Sequence, residues 1–143
     1  MAEIRGSVRA TGQCLCGAVR YRVRGPLRDA IACHCSQCRR ISGHHVAATA
    51  TARENLEITG QDALTWYRAS SEAKRGFCAI CGSTLFWQAD SLEYTAIFAG
   101  SLDPGSGVRL AAHIFTADKG EYYEIADGVP QFEGHDHDVG LPK

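Results

Sequence analysis

No apolar run in this 143-residue sequence approaches the roughly 20 residues that a bilayer-crossing helix needs. The first residues, Met1-Ala2-Glu3-Ile4-Arg5-Gly6, hold no apolar stretch of the kind that forms the heart of a secretory signal. There is no excess of positive charge either. The formal net charge is -1, which gives nothing to hold nucleic acid or an anionic membrane. Internal repeats, low-complexity blocks and linkers are missing, and no long segment shows helical periodicity. These absences predict a cytoplasmic protein with no nucleic-acid or membrane partner. With 45% hydrophobic and 22% charged residues, the chain suits one globular domain with one core.

What is present reads as strand. Residues 18–24 (AVRYRVR) alternate apolar and charged side chains with the period of a half-buried strand, which Gly25-Pro26 breaks. Further strands are expected over 27–33, 44–52, 55–59, 63–68, 84–88, 94–99, 111–115 and 122–125, and residues 74–77 lead into the last cysteine pair. A short helix is expected over 36–41, ended by Ser42-Gly43, and a turn over 103–107. Residues 134–143 read as a polar tail. The fold class is mainly β, antiparallel, with cysteines carried on the loops.

The cysteines number seven: Cys14, Cys16, Cys33, Cys35, Cys38, Cys78 and Cys81. An odd number cannot pair fully within one chain, and each has a neighbour in CxC or CxxC spacing. In a reducing compartment that pattern points to metal ligands or redox centres rather than disulfides. Cys14-Leu15-Cys16-Gly17 and Cys78-Ala79-Ile80-Cys81-Gly82 both end in Cys-Gly. In a zinc knuckle the turn after a ligand aims backbone N–H groups at the thiolate, and glycine takes the positive φ that this requires. Two knuckles supply the four thiolates of a closed structural zinc site. The alternative is two unrelated buried cysteine pairs.

The remaining three lie in Cys33-His34-Cys35-Ser36-Gln37-Cys38-Arg39-Arg40. Three ligands with a vacant fourth position describe a catalytic zinc, where water or a substrate thiol enters. Two other readings stay open: a redox pair at Cys35 and Cys38, or a second structural zinc closed by a histidine. A different partition also stays open, joining the two CxC pairs and leaving Cys38 with Cys78 and Cys81. Arg39 and Arg40 could bind the carboxylates of an anionic thiol, with a solvated face expected for at least one. His34 is expected to be exposed. His44 and His45 begin a strand whose period of two sends them to opposite faces. His135 and His137 sit in the tail, where an ordered ligand role is not expected. Trp66, Phe77, Phe86 and Trp87 are expected in the core.

The ordered pattern Gly12-x-Cys-x-Cys-Gly-x-Val-x-Tyr21, Cys33-His-Cys-Ser-x-Cys-Arg-Arg40 and Phe77-Cys-x-x-Cys-Gly-Ser83 resembles the glutathione-dependent formaldehyde-activating family, which includes centromere protein V. The ending from Lys119 to Asp127, with Pro130 and Phe132, looks like the family's terminal segment, although Tyr122 stands where the family usually has tryptophan. The resemblance covers about residues 10–133 of a single zinc-binding domain taken as 1–143. It implies a β-tent fold similar to that of methionine sulfoxide reductase B and clamped by zinc. It implies two zinc ions, a structural one on Cys14, Cys16, Cys78 and Cys81 and a catalytic one on Cys33, Cys35 and Cys38. It further implies a carbon–sulfur lyase that acts on S-hydroxymethylglutathione or a related thiol–aldehyde adduct, with glutathione or another small thiol as partner. The alternative is a non-catalytic zinc-binding interaction module. Methionine sulfoxide reductase chemistry fits less well, because it needs a free nucleophilic cysteine and all seven here have metal-like spacing.

Overall fold

The computed structural model describes residues 6–135. In chain order the strands are β1 (Ala10–Gln13), β2 (Arg20–Val23) and β3 (Ala30–Cys33), followed by helix α1 (Ser36–Ser42). Then come β4 (Val46–Ala52), β5 (Leu56–Thr59), β6 (Leu64–Arg68), β7 (Ala73–Cys78), β8 (Thr84–Ala89), β9 (Tyr94–Phe98) and β10 (Leu110–Ile114). They form two open sheets. The larger has seven strands in the order β10-β3-β4-β9-β8-β7-β6, and the smaller has three in the order β1-β2-β5.

The core lies between the sheets. Alternation in β2 sends Tyr21 and Val23 inward and Arg20 and Arg22 outward, as the period-two pattern predicts. Val19, Tyr21 and Val23 pack with Leu85, Phe86 and Ile97 from the large sheet and with Ala63 from the turn before β6. Tyr21 meets Phe86 edge-on at 5.4 Å, and its hydroxyl reaches Ser101 Oγ at 2.6 Å. Phe86 is fully buried and Trp66 packs against the same cluster, as expected; Phe77 and Trp87 are only half-buried.

Several expectations need correction. The strands expected over 27–33 and 44–52 begin later, at Ala30 and Val46. Strand β1 was not anticipated, because Ala-Thr-Gly-Gln has little apolar pattern; it forms by pairing residue for residue with β2. The sheet is not wholly antiparallel, since β10 runs parallel to β3. No strand forms over 122–125. There the aromatic side chains of Tyr122 and Tyr123 pack on histidines, while Lys119 Nζ donates to the carbonyls of Gly120 and Tyr123. The segment that does line the outer edge of β10 comes later. His113 donates to the Pro130 carbonyl at 2.8 Å, and Phe132 donates back to His113 at 2.9 Å. No helix among the described residues is long and apolar enough to cross a membrane.

Candidate functional site

The seven cysteines sort into two groups. Cys14, Cys16, Cys78 and Cys81 bring their sulfurs within 4.8 Å of one another, and so do Cys33, Cys35 and Cys38. The alternative partition, with Cys38 beside Cys78 and Cys81, is not formed. All seven are free thiols, with no disulfide among them.

The four-cysteine group joins the turn between β1 and β2 to the turn between β7 and β8. Its sulfurs stand 3.7 Å apart for Cys14 and Cys16 and 3.8 Å apart for Cys16 and Cys78. A tetrahedral zinc with bonds of about 2.3 Å requires sulfur separations of about 3.8 Å, so this donor set fits that ion. Each turn closes as a knuckle. Gly17 donates to the Cys14 carbonyl at φ 81°, and Gly82 donates to the Cys78 carbonyl at φ 82°. The Val19 N–H points at Cys14 Sγ from 3.3 Å. Ser83 ties the two turns together, accepting from the Leu15 N–H at 3.0 Å and touching Cys81 Sγ at 3.2 Å. Burial works against a Cys14 thiolate, yet the Val19 N–H and the neighbouring thiols outweigh it and pull the group down. The Ser83 hydroxyl and backbone bring Cys81 down to about 5.

The three-cysteine group is local. Cys33 ends β3, Cys35 is the N-cap of α1, and Cys38 lies in its first turn. Cys35 Sγ accepts from the Cys38 N–H at 3.4 Å, the bond a capping serine or aspartate would make. The Cys33 and Cys38 thiols, helped by the Cys38 and Gln37 N–H groups, favour Cys35 as the thiolate, while the same contacts push Cys33 up. Among the described residues no fourth Cys, His, Asp or Glu completes this set.

The trio opens into a cavity of about 310 Å³ over one face of the large sheet. Its floor is recessed because small residues, Ala48, Ala73 and Ala96, face it. Trp87, Tyr94 and Phe98 form part of its wall, so Trp87 serves the cavity rather than the core. Phe115 joins them with φ 55°, a left-handed backbone unusual for an aromatic residue. Its ring meets that of His135, which lines the same space. His137 lies outside the described residues.

Two arginines line the cavity, and neither is Arg39 or Arg40. Arg75 is 4% exposed and places Nη2 3.2 Å from Gln37 Oε1 and 3.7 Å from Cys38 Sγ. Arg28 donates to the carbonyls of Ala48 and Asp29. Arg40 is exposed on α1, and Arg39 is half-buried with Nε unpaired. The signal for Arg75 was in the strand parity: in Ala73-Lys-Arg-Gly-Phe-Cys it shares the face of Ala73, an inward register for a cation.

His34 is not exposed, as was expected, but fully buried. The reason is a hydrogen-bonded chain. His113 Nε2 lies 2.8 Å from Asp127 Oδ2, His34 Nε2 lies 2.9 Å from His113 Nδ1, and His34 Nδ1 meets the Tyr123 hydroxyl. Burial, then the charges of His45, His113, His44 and Lys119, push His34 down to about 4, so it is neutral. His44 and His45 do not point to opposite faces. They precede β4, their rings lie 4.2 Å apart, and both pack on Tyr123.

The sequence profile of the glutathione-dependent formaldehyde-activating enzyme family matches residues 9–118, which holds both cysteine groups. The chain belongs to that family. Among relatives of the formaldehyde-activating family, a Halomonas elongata protein named as a candidate glutathione-dependent formaldehyde-activating enzyme is 31% identical over 127 residues. The match spans 80% of this chain and 79% of that one. A Schizosaccharomyces pombe protein named as an uncharacterised lyase is 26% identical over 123 residues, spanning 85% and 88%. A crystal structure of a Rhodobacter sphaeroides protein superposes with a TM-score of 0.58 at 29% identity, covering 71% of this chain and 99% of that one.

Proposed function

We propose that this protein is a zinc-dependent carbon–sulfur lyase for a thiol–aldehyde adduct such as S-hydroxymethylglutathione. In the cleavage direction the carbon–sulfur bond breaks, the sulfur keeps the electron pair, and the hydroxyl loses its proton to give aldehyde and thiol. The observation that carries this reading is the trio of Cys33, Cys35 and Cys38, gathered with no fourth ligand among the described residues and open to a cavity. Zinc held by these three would supply Lewis acidity that keeps a thiol deprotonated at neutral pH. Arg75 faces the negative charge collected by the trio, and the walls around it are mainly apolar. The other four cysteines would hold a closed structural zinc that clamps the small sheet to the large one, as in a β-tent related to methionine sulfoxide reductase B.

The test is metal analysis with and without glutathione. Purified protein should carry two zinc ions per chain. In cobalt-substituted protein, glutathione should change the spectrum of one ion and spare the other. A spectrum indifferent to millimolar glutathione overturns the glutathione reading. One observation favours a second reading, a non-catalytic interaction module: Leu15 and Ile80, at the tips of the two knuckles, are 84% and 71% exposed. Two inert metal ions and no thiol binding would be its signature.

A further inference from the structure

The cavity is large for a one-carbon aldehyde. At about 310 Å³ it sits at the lower end of the range for drug-sized ligands, about 300–1,000 Å³. If the aldehyde is formaldehyde, the volume belongs to the body of the thiol. A sulfur at the open side of the trio has its substituent inside this space, because Cys33, Cys35 and Cys38 all line it.

The walls offer few polar groups that remain available, chiefly the Tyr94 phenol and the Ser70 hydroxyl proton. Gln37 accepts from Arg75 and donates to the Ala69 carbonyl. The Ser70 hydroxyl accepts from the N–H groups of Glu72 and Ala73. Glutathione carries two amides, an ammonium and two carboxylates, and burying polar groups without partners is unfavourable. The guanidiniums are different. Neither Arg28 nor Arg75 has a carboxylate partner among the described residues, whose ion pairs involve Arg22, Arg24, Arg68 and His113. A cation taken out of water calls for an anion.

Their positions follow from the register. Arg75 pairs across to Trp87, Trp87 to Ala96 and Ala96 to Ala50, and the Arg28 N–H donates to the Ala50 carbonyl. Four strand spacings therefore separate the two backbones, about 19 Å at about 4.8 Å each. Arg75 is turned to Cys38 at one side, and Arg28 stands across the apolar floor with Nη1 making no hydrogen bond among the described residues.

We propose that the cavity selects a compact thiol with an apolar body and one carboxylate, its sulfur beside Arg75 at the cysteine trio and its carboxylate on Arg28. This rests on reading the trio as a thiol-binding site. Arg28 is then a specificity determinant, and Ala48 and Ala96 make room for the apolar body.

The test is calorimetric titration of the full-length, zinc-loaded protein with 4-(mercaptomethyl)benzoate, phenylmethanethiol and glutathione. The mercapto acid should bind at least about 10-fold more tightly than either of the others. Arg28→Gln should remove its advantage over phenylmethanethiol. Ala48→Leu, which fills the floor, should weaken both aryl thiols more than glutathione. Glutathione binding as tightly as the mercapto acid, or a selectivity unchanged in Arg28→Gln, overturns the proposal while leaving the lyase reading standing. If no thiol binds, the reading of the trio itself is wrong and the proposal falls with it.

Discussion

Replacing Cys78 with serine separates the roles of the two cysteine groups. Cys78 is fully buried and sits at the end of β7, and its partners Cys14 and Cys16 lie in the turn between β1 and β2. A structural zinc contributes about 10–16 kcal/mol of apparent binding free energy in small zinc domains. The whole domain is expected to be stable by about 5–15 kcal/mol. Losing only a third of the zinc term, about 3–5 kcal/mol, removes much of that stability. At about 4 °C per kcal/mol for a chain of this length, Cys78→Ser should melt at least about 10 °C below the parent. Cys35→Ser is the control. Its group is confined to one loop and one helical turn, and serine can still cap α1 by accepting from the Cys38 N–H. That variant should lose one metal ion and any lyase activity, yet melt within about 5 °C of the parent, a loss near 1 kcal/mol. Differential scanning calorimetry beside metal analysis decides it. A Cys78→Ser protein that keeps the parental melting temperature refutes the clamp. Wholesale unfolding of Cys35→Ser shows that the trio is structural.

Tyr21→Phe should cost about 1 kcal/mol in urea unfolding, because the 2.6 Å contact with Ser101 is lost while Ser101 keeps its bond to the Phe98 carbonyl. An unchanged midpoint would show that this bond contributes nothing. Gly60→Ala should cost at least about 2 kcal/mol, since Gly60 has φ 82° and a Cβ there would stand 1.8 Å from the Ala18 carbonyl oxygen. A soluble variant as stable as the parent would mean that the β5–β6 turn readily re-forms elsewhere.

The most legible features were those set by local chemistry. Cys-Gly turns, the helix that Ser42-Gly43 ends and the alternation of β2 each depend on a few adjacent residues, and the structure forms all of them. The partition of the cysteines was legible for the same reason: a trio within six residues gathers without help from distant contacts. What stayed hidden is set across the fold. Strand β10 lies parallel to β3, which no local pattern encodes. Arg75 meets Cys38, 37 positions away, only because the fold turns both toward one cavity. His34, between Cys33 and Cys35, carries no local sign of burial; its burial comes from His113 and Tyr123, residues 79 and 89 positions away. Tyr122 and Tyr123 have high strand propensity, but their rings are engaged on the histidines and the backbone never joins a ladder.

That hydrogen-bonded chain gives the loop of Cys33 and Cys35 a fixed orientation, and its donor order can be worked out. The Asp127 carboxylate only accepts, so His113 Nε2 donates to it. If the His113 ring carries only that proton, its Nδ1 accepts from His34 Nε2, and His34 Nδ1 accepts from the Tyr123 hydroxyl. Tyr123→Phe removes the last donor and leaves a buried ring nitrogen unpaired. The expected cost is about 1–3 kcal/mol, larger than for an exposed bond because water cannot replace the phenol at a fully buried residue. Packing loss contributes little, since the ring is retained. Combining it with His34→Leu tests the assignment. Once the nitrogen is gone, the phenol has no acceptor there, so the second substitution should cost about 1 kcal/mol less than it does alone. Urea unfolding of the four proteins measures that coupling. Costs that add to within about 0.4 kcal/mol would show that Tyr123 and His34 do not hold each other. The cysteine trio would then owe its geometry to β3, α1 and the bonds of His34 to Ile114 and His113.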